Sequence, residues 1–62
     1  MHKDAKDLKA RDCFSMAGAH YEIIAVYEVD DEDLVKIAFV TINGEGPTQY
    51  LVLDKYTFFM TL

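Results

Sequence analysis

The 62-residue chain has no tryptophan, one cysteine (Cys13), one proline (Pro47) and three glycines. A lone cysteine excludes an intramolecular disulfide, the usual staple of small secreted domains, and gives no sign of an oxidising compartment. Long apolar runs are also missing. The strongest, Ile23–Tyr27 and Ile37–Val40, fall far short of the roughly 20 residues a membrane-spanning helix needs. The first dozen residues alternate in charge and hold no apolar stretch of signal-peptide length. A cytoplasmic protein is expected, in the host cytoplasm if a virus encodes it. At this length a two-domain enzyme, a Rossmann unit and a transmembrane bundle are excluded, and a single domain over residues 1–62 is expected.

Positive charge is scarce as well. Six lysines and arginines stand against eleven acids, for a net charge of −5. The imbalance is uneven along the chain. Lys3, Lys6, Lys9 and Arg11 outnumber Asp4, Asp7 and Asp12, whereas beyond residue 12 only Lys36 and Lys55 face the remaining acids. An acidic body with a mildly basic arm lacks the positive stripe from which phosphate contacts draw their affinity, which disfavours nucleic acid as a partner.

What is present is a core and an alternating pattern. A hydrophobic content of 52% beside 27% charged residues marks a packed globular chain rather than a disordered one. A chain this short buries only about 60% of its unfolded surface. Outside support is therefore expected, with self-association preferred over a metal.

Asp4–Ala10 has the composition of a short helical turn or arm, with Leu8 tucked against the body. Cys13, Phe14 and Met16 form a brief strand ended at Gly18, which can take the positive φ of a tight turn. His20–Val29 and Leu34–Ile42 are long strands rich in β-branched and aromatic residues. A change of phase around Ala25–Tyr27 predicts a β-bulge. Val35, Ile37 and Phe39 form the core face of the second long strand, because Lys36 between them must reach water. Asn43-Gly44-Glu45-Gly46-Pro47 reads as a turn, Thr48–Leu53 as a third long strand, Asp54-Lys55-Tyr56 as a short helical turn and Thr57–Leu62 as the last strand. The expected fold is all-β, with five antiparallel strands joined by short connections.

These residues carry a resemblance. The series Ala5-x-Asp7-Leu8-x-x-x-Asp12, then Gly18-x-x-Tyr21-x-Ile23, then Asp33-x-Val35-x-Ile37-x-Phe39, then a glycine-rich turn and Thr48, resembles small SH3-like barrels. It is similar in particular to short bacterial and phage proteins, mostly of unknown function, that open with a leader of the form A-x-D-L-x-P-G-D. Ala10-Arg11 stands here where that leader has Pro-Gly. The resemblance covers nearly the whole chain and implies a five-stranded SH3-like barrel. It implies little chemistry, since such barrels serve many functions.

Four groups of residues are candidates for function. The acidic loop Asp30, Asp31, Glu32 and Asp33 could hold a divalent cation, but its spacing does not follow the calcium-loop pattern. A solvated hairpin tip that discourages edge pairing is preferred. Cys13 and His20 could meet across the first hairpin. No orienting group or oxyanion donor accompanies them, and a structural cysteine is preferred. Zinc would need more ligands than one cysteine, His20 and His2 supply. The aromatic residues are too many for one small core and could line a peptide groove, yet apolar residues on both faces of the sheet point to a covered face. Val40, Ile42, Tyr50 and Phe59 are the candidate interaction residues. The resulting expectation is a non-catalytic protein-interaction or assembly module, acting as a homo-oligomer or with another protein, with no cofactor and no membrane. The alternative is nucleic-acid or ribosome-associated binding through the Lys3–Arg11 arm.

Overall fold

Strand formation follows the alternation of apolar residues. The computed structural model describes residues 2–43 and 46–62. Its strands are β1 (His2–Asp4), β2 (Cys13–Met16), β3 (Ala19–Glu28), β4 (Leu34–Thr41), β5 (Gln49–Asp54) and β6 (Phe58–Thr61), with a 3₁₀ turn at Ala5–Asp7. They form one antiparallel sheet in the order β1-β6-β2-β3-β4-β5. The all-β expectation holds. The strand count does not, because the N-terminal arm contributes a sixth strand. His2, Lys3 and Asp4 have no strand signal of their own, and pairing with Met60, Phe59 and Phe58 decides their conformation. Nor does the sheet close. Among the described residues β1 and β5 are its two ends and do not pair with each other.

The core lies on one face of this sheet. Phe14 on β2 is fully buried and sits among three other rings. Its centroid lies 5.4 Å from Tyr21 (β3), 5.5 Å from Phe39 (β4) and 5.0 Å from Phe59 (β6), the last two edge-on. These are the separations that aromatic quadrupoles favour. Ile23, Val35 and Ile37 extend the cluster, and Ala5 and Leu8 cover it from the N-terminal segment. The core face predicted for β4 is the one observed, with Leu8 docked as expected.

Three local features shape the chain around that core. The β3–β4 register shifts between Ile23 and Ala25, so β3 carries the expected bulge just ahead of the Ala25–Tyr27 position read from the pattern. The β2–β3 hairpin closes through Ala17 and Gly18, with φ of 52° and 80°. Positive values at both central residues are what a type I′ turn demands. The third feature is the turn at residues 9–12, where the Asp12 N–H donates to Lys9 O at 3.0 Å and Arg11 takes φ 77°. Glycine or asparagine ordinarily supplies this left-handed geometry. The Arg11 N–H donates to Ile23 O, and the Ile23 N–H to Asp12 O, each at 2.8 Å, so the surrounding backbone holds Arg11 in place. Of the turn expected at residues 43–47, Gly44 and Glu45 lie outside the described residues. Asp54–Tyr56 is not helical. Asp54 Oδ1 accepts from the Tyr56 N–H at 2.8 Å, and Asp54 O from the Thr57 N–H at 3.0 Å, an aspartate-nucleated turn.

Two substitutions test this account. Phe14→Ala is expected to cost about 3–5 kcal/mol in urea unfolding and Phe14→Leu clearly less, because the cavity scales with the atoms removed. Arg11→Gly is expected to raise stability by several tenths of a kcal/mol to about 1 kcal/mol, since the left-handed strain removed exceeds the added chain entropy. A lower urea midpoint for Arg11→Gly would contradict the strain argument.

Candidate interaction surface

Residues directly opposite in an antiparallel pair share a face, so the register maps the outer side of the sheet. Ser15 and His2 flank Met60, Cys13 and Val40 flank Glu22, Ala25 and Tyr50 flank Ala38, and Tyr27 and Val52 flank Lys36. This side is largely apolar. On β6, Phe58 is 64% exposed, and Met60 and the following Leu62 are also exposed. The His2 ring stacks on Phe58 at 4.7 Å. On β5, Tyr50 is 56% and Val52 55% exposed, with Lys36 Nζ 5.0 Å from the Tyr50 ring centroid.

The four candidate interaction residues fall in different environments. Ile42 and Tyr50 are exposed and Val40 is half-buried. Phe59 is only 7% exposed, against the expectation that it would help form an open apolar face. The alternation expected on β6 is observed with its sign inverted. Phe59 and Thr61 face inward and Phe58, Met60 and Leu62 outward, because the inward slot lies beside Phe14. Both faces of the strand are apolar, so local pattern offers no means of choosing between them. The open ring at Phe58 escapes sequence reasoning for the same reason, whereas Ala38 is buried although it lies on the Lys36 side of β4.

The acidic loop forms the tip of the β3–β4 connection. Asp30, Asp31, Glu32 and Asp33 are exposed. Asp31 shapes the tip, since its Oδ1 accepts from the Asp33 N–H at 2.9 Å and its carbonyl accepts from the Leu34 N–H at 3.1 Å. A groove of about 590 Å³ runs beneath the tip, between Tyr27 and Glu28 on one side and Lys6, Lys55 and Tyr56 on the other. Among the described residues no three His, Cys, Asp or Glu side chains gather closely enough to hold a metal ion. Cys13 and His20 are not brought together: Cys13 lies opposite Glu22 and His20 opposite Ser15. The Cys13 thiol donates to Arg11 O at 3.7 Å.

The N-terminal arm is tied down by charge. Lys3 Nζ lies 3.0 Å from Asp12 Oδ2, and the same oxygen accepts from the Lys9 N–H at 2.9 Å. Lys6 Nζ lies 3.3 Å from Asp7 and 5.9 Å from the Tyr56 ring centroid. Partial burial pushes the Asp12 carboxyl up. The hydrogen bonds from Lys3 and from the Lys9 N–H, with the charges of Lys3 and Lys9, outweigh it and hold the group below the usual carboxylate range. No helix among the described residues is long and apolar enough to cross a membrane.

The chain matches no protein-family model and no curated protein. What it does must therefore be read from its own surface.

Asp12 gives a pH test. Its acidity is greater in the folded than in the unfolded chain, so its stabilisation is complete above the ordinary carboxylate value and is lost as pH falls through the lowered one. Asp12→Asn is expected to lower the melting temperature at pH 7 and to show a smaller further loss between pH 5 and pH 2 than the wild type. Parallel melting curves for the two proteins across that range would remove Asp12 as a contributor.

Proposed function

We propose that the protein is a non-catalytic assembly module of SH3-like type whose first partner is a second copy of itself. The observation that carries this reading is the apolar outer side of the sheet, where Phe58, Met60 and Leu62 stand open on one flank and Tyr50 and Val52 on the other. Exposed apolar patches on a small chain mark interaction sites, and their burial would supply the surface that a short chain cannot bury alone.

The SH3-like part is supported by the bulge in β3, by β6 returning between β1 and β2, and by a single aromatic core. The open run from β1 to β5 distinguishes the sheet from a closed barrel. A cytoplasmic setting is supported by the lone cysteine. Binding of nucleic acid or ribosome through the Lys3–Arg11 arm has less support, because Lys3 and Lys6 are engaged by Asp12 and Asp7.

Light scattering on a sizing column across a concentration series tests the reading. The mass is expected to rise above the 7.1 kDa of one chain as concentration increases. A mass of one chain at every concentration up to the millimolar range would overturn self-assembly.

A further inference from the structure

The two ends of the sheet are built differently. At one end β1 spans only three residues, two of them the charged Lys3 and Asp4. Short, charged edge strands are how natural sheets prevent unwanted pairing. At the other end β5 runs for six residues, Gln49–Asp54. It pairs with β4 alone among the described residues and without a register shift. Residues 46–53 carry no charge, and no proline, lysine or bulge interrupts the strand. Gln49, Tyr50, Leu51 and Val52 are all exposed. One row of β5 backbone donors and acceptors therefore faces outward on an unguarded apolar edge, in a chain that guards its other edge.

Resting on the self-assembly reading above, we infer that β5 pairs antiparallel with β5 of a second copy, extending two six-stranded sheets into one across a two-fold axis at Leu51. Symmetry restricts the choice. A two-fold axis normal to a continuous sheet keeps the inner faces on one side, so facing residues must have the same parity. Centring on Leu51 sets Leu51 against its own copy and Tyr50 against Val52 of the partner, twice. In this register the exposed Tyr50, Leu51 and Val52 meet only one another. Aromatic residues opposite β-branched ones are favourable cross-strand pairs. Centring on Val52 instead sets Tyr50 against Asp54.

Charge favours the antiparallel orientation of the second copy over the parallel one. The acidic tip lies at the Asp54 end of β5, where the Lys55 N–H donates to Asp33 O at 3.0 Å. Antiparallel pairing sets that end beside the uncharged residues 46–48 of the partner, whereas parallel pairing would bring the two acidic tips together. An edge of six residues places the contact in the small, transient class, below about 1,200 Å² in total. The dimer is accordingly concentration-dependent and strengthened by salt, which screens the net charge of −5 on each copy.

Engineered cysteines test both the edge and the register. In a Cys13→Ser background, Leu51→Cys places two thiols on directly opposed residues, about 4.5–5.5 Å apart at Cα, within disulfide reach. Val52→Cys places them roughly 8 Å apart, two residue steps along the strand and one strand spacing across, beyond that reach. Under mild oxidation at concentrations where the unmodified chain is dimeric, Leu51→Cys should form a covalent dimer rapidly and Val52→Cys should not. Equal cross-linking of the two, or none by a folded Leu51→Cys, would overturn the β5 pairing while leaving self-assembly standing if the unmodified chain is still a dimer. A chain that never exceeds one copy in mass would overturn both. Amide hydrogen exchange on the unmodified chain needs no variant. Protection of residues 49–53 should rise with concentration while that of β1 stays constant, and concentration-independent protection of β5 would overturn the inference.

Discussion

The structure depends on the burial of Phe14. This ring touches side chains from three other strands: Tyr21 on the adjacent β3, and Phe39 on β4 and Phe59 on β6, which are distant in sequence. Backbone pairing alone joins strands only to their neighbours. The aromatic cluster makes a ribbon of hairpins bend around a common centre, because four rings can leave water together only if the sheet curves over them. Ala5 and Leu8 then close the remaining side, which draws the N-terminal segment onto the body and sets β1 beside β6.

Around that centre, the chain tolerates local strain where the surrounding backbone holds it. Arg11 and Ala17 both adopt the left-handed conformation although neither is glycine. At Arg11 the geometry is fixed by two hydrogen bonds to Ile23, next to the bulge in β3, and by Asp12, whose carboxylate holds Lys3 and the Lys9 N–H at once. The bulge, the turn and the ion pair thus form one unit. Interactions made at a distance in sequence hold the left-handed geometry that a glycine would ordinarily supply.

The outer side follows from what the inner side consumed. A chain of 62 residues with eight phenylalanines and tyrosines cannot enclose them all, and the strands that alternate most strictly expose whichever half the core does not take. Phe58, Tyr50 and Val52 are that half. Charge on the outer side falls on the central strands, at Glu22 of β3 and Lys36 of β4, so the exposed apolar residues are concentrated on β6 and along the free edge of β5. The sheet thus carries one short, charged edge at β1 and one longer, uncharged edge over residues 49–53.

The amino-acid sequence by itself determined the all-β class, nearly every strand, the bulge, the inward face of β4 and the docking of Leu8. Each of these follows from alternation, β-branching or turn chemistry within a few residues. Only tertiary structure decided the rest. Whether Phe58 or Phe59 turns inward was set by the position of Phe14, since both faces of β6 are apolar and period-two alternation carries no sign. The conformation of His2–Asp4 was set by the backbone of β6 rather than by its own charged side chains. Which strands became edges was settled by sheet order, a property of pairing between distant segments that no local pattern encodes.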